Sequence, residues 1–192
     1  MRAMKIIELT EDEKRVIVEY GLERGKKELL FWGYIVLVGV ALGVLWQGLV
    51  FWISFCAIRR YAGGYHADTE KRCLCISTAV ILLVFLSMKY CTWGMLELFL
   101  LQGSCYGIIM LLSPVSNKNR PLDELERKKF QRYARVVATV LMTGTLFAYV
   151  ARVIYIVIPV AMSFLVITLS LLMGVCKNRV ERVKGKNILQ QK

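Results

Sequence analysis

The chain has 192 residues, a length that suits one domain, and 57% of them are hydrophobic. Its mean hydropathy of +0.52 excludes an ordinary water-soluble globule and makes lipid part of its solvent. The net charge of +12 raises nucleic acid as a partner, but the bases alternate with apolar stretches and are not gathered on one soluble module, so no nucleic-acid role is expected.

Residues 1–30 carry seven acids and seven bases before any apolar run, a pattern foreign to a cleavable signal peptide. Thr10 to Glu13 fits a capping box, and Val16, Ile17 and Tyr20 share one side. This predicts an amphipathic helix over 11–27 lying along the inner membrane surface. Apolar stretches follow at 29–58, 74–90, 93–112, 136–150 and 153–175, lengths suited to helices crossing a hydrocarbon core of roughly 30 Å. The first is too short for two full crossings of about twenty residues each. Its Gly33, Gly39, Gly43 and Gly48 permit a tight helical hairpin or a re-entrant pair.

The bases give the sidedness. Seven of the 26 Lys and Arg residues lie in 1–28, four in 59–72, seven in 113–135 and six in 177–192, leaving Lys89 and Arg152. Those two sit beside Tyr90, Trp93, Tyr149 and Tyr155, as outer-face turns in an aromatic belt do, which assigns the other clusters to the cytoplasm. In the middle loop, Pro114 and Pro121 delay helix formation, and Asp123 to Glu126 ahead of Arg127 to Lys129 predicts an interfacial helix. Glu97 is the one acid inside an apolar span, either a functional group or a residue of the outer interface. The expected fold is an all-α, polytopic membrane protein of about four to six membrane helices plus the N-terminal interfacial helix. It forms one domain over 1–192: interfacial helix 1–28, hairpin or re-entrant pair 29–58, catalytic loop 59–73, hairpin 74–112, basic loop 113–135, hairpin 136–176 and basic tail 177–192.

The chemistry concentrates in 59–73, which holds the only histidine, His66, the pair Gly63 and Gly64, and Cys73. A chain with one imidazole has at most one His-activated nucleophile. On an unbroken helix two residues seven apart are separated by about 10.5 Å along the axis, so His66 and Cys73 meet only if the helix breaks. Gly63 and Gly64 allow the break, and Asp68 or Thr69 can cap a new helix from about Glu70. Cys73 then falls in its first turn, where the helix N-terminus, Lys71 and Arg72 favour thiolate. Cys75 points about 200° away around the helix. The remaining cysteines, Cys56, Cys91, Cys105 and Cys176, read as small apolar fillers without a disulfide framework. Other readings of the segment stay open. His66 can be a plain interfacial residue, or His66, Cys73 and Cys75 a metal site that lacks a fourth ligand. The chain can also be a non-enzymatic small transporter or metal-binding membrane protein, although few ionisable groups lie in the spans.

The stretch from Arg59 through Gly63, Gly64 and His66, with Cys73 seven residues on and a polytopic domain behind it, resembles the accessory gene regulator B (AgrB) family of bacterial membrane peptidases. Ser113 to Val115 and Asn119 to Pro121 add weaker support. The resemblance implies a cysteine endopeptidase of the bacterial cell membrane that cuts the C-terminal part of a small quorum-sensing propeptide of the AgrD type. It also implies that the acyl-enzyme thioester is resolved by thiolactone or lactone formation. Carried over, His66 is the base and Cys73 the nucleophile. Arg59, Gly64 and Asp68 are supporting candidates, with Asp68 within local reach of His66. Lys128 and Lys129, on the basic inner face, are candidates for docking an anionic substrate. No cofactor and no metal are expected; the partners are the propeptide and membrane lipid, with a homodimer left open.

Overall fold

A computed structural model of the chain describes residues 11–65, 69–115 and 123–190, and these form six helices. They are α1 (Glu11–Leu42), α2 (Leu45–Ala62), α3 (Glu70–Tyr90), α4 (Met95–Leu112), α5 (Glu124–Val150) and α6 (Ile154–Gln190). No strand forms among the described residues beyond a single bridge between Gly63 and Val115. The fold is therefore all-helical, and α3, α4, α5 and α6 contain segments long and apolar enough to cross a membrane.

The polar segments do not form helices of their own. The stretch expected as a separate surface helix over 11–27 runs on without interruption into the first apolar segment as α1. The piece expected as an interfacial helix after Asp123 likewise continues into the span as α5, and the basic tail continues α6. The reason is local: no proline separates the polar from the apolar part of any of these helices, and Glu, Lys, Arg and Leu are all strong helix formers. The change of environment at the membrane boundary alters what the side chains face, not the backbone.

Residues 29–58 resolve into a helical hairpin. The α1–α2 turn has Gly43 at φ +71°, a conformation that costs a residue with a Cβ about 1–2 kcal/mol. It is closed by Gly43 N–H to the Val40 carbonyl at 3.1 Å and Val44 N–H to the Gly39 carbonyl at 2.8 Å. The apolar part of α1 runs only from Glu28 to Leu42, about 22 Å of helix against a core of roughly 30 Å.

Helix α6 is the hub: 56% of its apolar window is buried inside the protein, against 17% for α3 and 22% for α4 and α5. Phe164, Ile167 and Leu171 of α6 are fully buried with Ile58, Ile109, Ala134 and Ala138, while Val157, Ala161 and Met162 join Phe51, Phe85 and Leu98. Between helices in lipid the gain comes from close packing and not from transfer out of water, so small residues at contacts matter. Ala134 and Ala138, one turn apart on α5, serve that purpose, as does Gly48, where a Cβ would overlap the Phe85 ring.

The bundle has two distinct ends. The last turn of α2, the starts of α3 and α5, the end of α4 and the 170–177 part of α6 meet at one, through Tyr61 against Phe130 and Tyr133 and through backbone contacts described below. The turns at 43–44, 91–94 and 151–153 lie at the other, with Lys89 and Arg152.

Candidate active site

Helix α2 ends at Gly63 (φ +70°), and Gly64 (φ +122°) and Tyr65 continue as extended chain. This short segment is laced between two distant parts of the protein. On one side the Val115 N–H donates to the Ala62 carbonyl at 3.0 Å and the Gly64 N–H to the Val115 carbonyl at 3.4 Å; on the other, the Tyr65 N–H donates to the Ser170 carbonyl of α6 at 2.9 Å. Gly174 permits the approach, because a Cβ there would lie 3.0 Å from the Tyr65 nitrogen and 3.1 Å from the Gly64 carbonyl carbon. Lys177, one turn further, holds its ammonium 5.3 Å above the Tyr65 ring, a cation–π contact.

Arg59 fastens this segment from inside. Its Nη1 donates to the Gly63 carbonyl at 2.5 Å and to Ser170 Oγ at 2.6 Å, and its Nη2 donates to the Tyr65 carbonyl at 2.5 Å. A planar fork with several fixed donors can serve three acceptors at once, which an ammonium on a flexible stem cannot do in this geometry. Burial lowers the guanidinium pKa from its ordinary value, and negative charge on Cys73 opposes that shift; arginine nonetheless stays protonated in proteins. Gly64 must lack a side chain here, since a Cβ would overlap the Arg59 guanidinium.

Cys73 approaches from α3. Thr69 caps that helix, its Oγ1 accepting from the Arg72 N–H at 3.4 Å, and the Cys73 N–H donates to the Thr69 carbonyl at 3.1 Å. Helix α3 thus starts at Glu70, and half-buried Cys73 lies in its first turn. Cys73, Arg59, Tyr65 and Ser170 line one cavity of about 340 Å³. Apart from Ser77 its remaining wall is apolar, with Phe31, Phe51, Trp52 and Phe55 on one side and Val80 and Ile81 of α3 on another. Phe51 precedes Arg59 by eight residues and Ile81 follows Cys73 by eight, which puts both about 12 Å deeper along their helices. The cavity therefore has a polar mouth at the sulfur and an apolar floor.

Arg59, Gly64 and Cys73 are brought together. His66 and Asp68 lie outside the described residues, between Tyr65, tied to α6, and Thr69, the cap of α3. Lys128 and Lys129 are exposed on the first turns of α5, off the cavity but at the same end of the bundle, next to Phe130. Cys75 is exposed and does not line the cavity. Glu97 is a capping residue: its Oε2 accepts from the Gly94 N–H at 3.3 Å at the head of α4. Among the described residues no group of three or more His, Cys, Asp or Glu is arranged to hold a metal. Sequence reasoning missed Ser170, Gly174, Val115 and Lys177. A signal existed for two of them, as Ser170 and Gly174 are small residues one turn apart on an apolar helix, the spacing that lets another chain come close.

The chain matches the family model described as Accessory gene regulator B over residues 2–175. It belongs to the accessory gene regulator B family. Similar proteins include an AgrB-like protein of Listeria welshimeri, 29% identical over 141 residues covering 70% of this chain and 66% of that one. An AgrB-like protein of Listeria monocytogenes is 26% identical over 137 residues, with the same coverage of both chains. AgrB-like protein 2 of Clostridium perfringens is 21% identical over 126 residues, 62% of this chain and 59% of that one. The chain thus spans 59% to 66% of the length of these relatives. No solved structure matches it. Family membership and the spans together make it a multi-pass membrane protein.

Proposed function

We propose that this chain is a membrane cysteine endopeptidase that cleaves a small AgrD-type propeptide, with Cys73 as nucleophile and His66 as general base. The observation that carries the reading is the seating of Cys73: half-buried, in the first turn of a capped helix, at the mouth of an apolar cavity beside the Arg59 cation. Thiolate is the attacking form of a cysteine, and His66 is the group that would generate it.

In the proposed reaction His66 takes the Cys73 proton and the sulfur adds to the scissile carbonyl. The C–N bond then breaks, His66 returns the proton to the leaving amine, and a thioester remains on Cys73. An internal thiol or hydroxyl of the peptide attacks that thioester, closing a thiolactone or lactone and freeing the Cys73 thiol. A thioester keeps the acyl group activated for this second step, provided water is kept away. With the Arg72 and Cys73 N–H groups donating to Thr69, the Glu70 and Lys71 N–H groups at the head of α3 are the backbone donors this reading assigns to the oxyanion. Arg59 already serves Gly63, Tyr65 and Ser170, so its part is to hold the segment leading into His66.

By the distribution of bases, the end bearing the site faces the cytoplasm, and Lys128 and Lys129 stand where an acidic substrate segment can dock. If Lys128→Gln with Lys129→Gln inserts normally and still captures the precursor as the parent does, that docking role is removed. The peptidase reading is tested by co-expressing the chain with a candidate AgrD-type precursor peptide and following cleavage by mass. His66→Ala and Cys73→Ser should each abolish cleavage while Cys75→Ser retains it, all three inserting normally. Cleavage by every variant would overturn the assignment.

A further inference from the structure

The cavity behind Cys73 is larger than catalysis at a sulfur requires, and its composition selects what fills it. At about 340 Å³ it stands at the lower end of the roughly 300–1,000 Å³ typical of pockets that enclose a small ligand. It has room for a few side chains but not for a folded peptide. Among its described lining residues the only charged group is Arg59, at the end near the sulfur and not at the floor, with three of its N–H groups donated to Gly63, Tyr65 and Ser170. An acidic side chain entering the floor would meet Phe51, Phe55 and Ile81 with no donor in place, and an unpaired buried carboxylate is strongly disfavoured.

We infer that this cavity is a specificity pocket for large apolar side chains on the acyl side of the scissile bond. The inference rests on the peptidase reading for its natural occupant. The acyl part, and not the leaving part, stays joined to Cys73 from the first attack until the ring closes. A pocket opening at the sulfur is therefore placed to hold that part through both steps. Filling it with apolar groups also keeps water from the thioester, because the floor offers water few hydrogen-bonding partners. Ser77, one turn after Cys73 on the same face of α3 and part of the lining, stands where a larger side chain would close the entrance to the floor.

The test uses two thiol reagents that mimic an acyl-side residue, N-acetylphenylalanyl and N-acetylglycyl chloromethyl ketone, on the full chain in phospholipid vesicles. In each case the thiolate sulfur displaces chloride, forming an S–C bond, and labelling at Cys73 and Cys75 is read by peptide mass mapping. Exposed Cys75, two residues away, corrects for each reagent's reactivity and its partition into lipid. The Cys73 to Cys75 labelling ratio should be about tenfold or more higher for the phenylalanyl reagent, the scale set by burying one large apolar side chain. Within Ser77→Phe, the phenylalanyl and glycyl ratios should become equal. Val80→Phe, on the next turn of the same wall, gives a second filled pocket should the first variant fold poorly.

Equal ratios for the two reagents in the parent chain, or a preference that survives in both filled variants, would overturn the pocket. A preference that phospholipid with longer acyl chains abolishes would assign the cavity to lipid and overturn it as well. Precursor cleavage separates this inference from the one beneath it. Cleavage without the preference removes the pocket alone, whereas the preference in a chain that cleaves nothing supports the pocket and removes the peptidase reading.

Discussion

At the end of the bundle away from Cys73, the reversals at 43–44, 91–94 and 151–153 are closed by hydrogen bonds reaching no more than six residues along the chain. At the Cys73 end the chain is closed by partners far away in sequence. Val115 pairs with Ala62 and Gly64, Ser170 with Tyr65, and Arg59 reaches Ser170 across 111 positions. The difference matters for function. A locally closed turn forms whenever its own residues allow it, whereas the site segment takes its shape only once α2, α6 and the 113–115 strap have packed. The geometry leading into the catalytic loop is thus a product of the whole bundle, and substitutions far from Cys73 in sequence should reach it.

The largest expected break in this contrast is Arg59→Gln. It strips donors from two backbone carbonyls and a serine in a mostly buried setting, and should lower stability by about 3 kcal/mol, read as thermal unfolding in detergent by tryptophan fluorescence. Arg59→Lys should recover little of it, because an ammonium lacks the fork. Full recovery by lysine would mean that charge alone matters there.

Gly64→Ala comes next, at about 2 kcal/mol, since it combines a φ that side chains avoid with overlap on the guanidinium. Gly103→Ala is its control: a Cβ there meets nothing within 4 Å, so in mid-helix the change should be neutral or stabilising by up to about 1 kcal/mol. If the two variants unfold at the same temperature, the close packing at the site end is wrong. Ser170→Ala removes one acceptor from Arg59 and should cost about 1 kcal/mol, with a matching fall in precursor cleavage because Arg59, which holds the Tyr65 carbonyl, is less firmly fixed. At the far end, Glu97→Ala removes the contact to Gly94, costs a few tenths of a kcal/mol, and should leave cleavage untouched.

The same contrast explains what was legible in the sequence. Membrane helices, a reversal permitted by the glycines of 29–58, the helix start at Thr69 and Glu70, and the separation of Lys89 and Arg152 from the other bases all follow from residues close together in the chain. So does the grouping of Gly63, Gly64 and Cys73 in one segment. Ser170, Gly174 and Val115 did not reveal their roles, because nothing near them in sequence points to Tyr65 or Gly64; only the packing of α6 against α2 brings them there. Helix boundaries were misjudged for another reason. A change from polar to apolar side chains does not end an element in α1, α5 or α6, because no residue at those points breaks a helix.

The central claim, that Cys73 at the cavity mouth carries the acyl group, is tested most directly by trapping the intermediate. The full chain is mixed with its precursor peptide and quenched in acid, and the adduct is located by peptide mass mapping. The account predicts the N-terminal part of the precursor joined to Cys73 as a hydroxylamine-labile thioester, absent in Cys73→Ser. Precursor cleavage that proceeds in Cys73→Ser, or an adduct found on Cys75 instead, would contradict it.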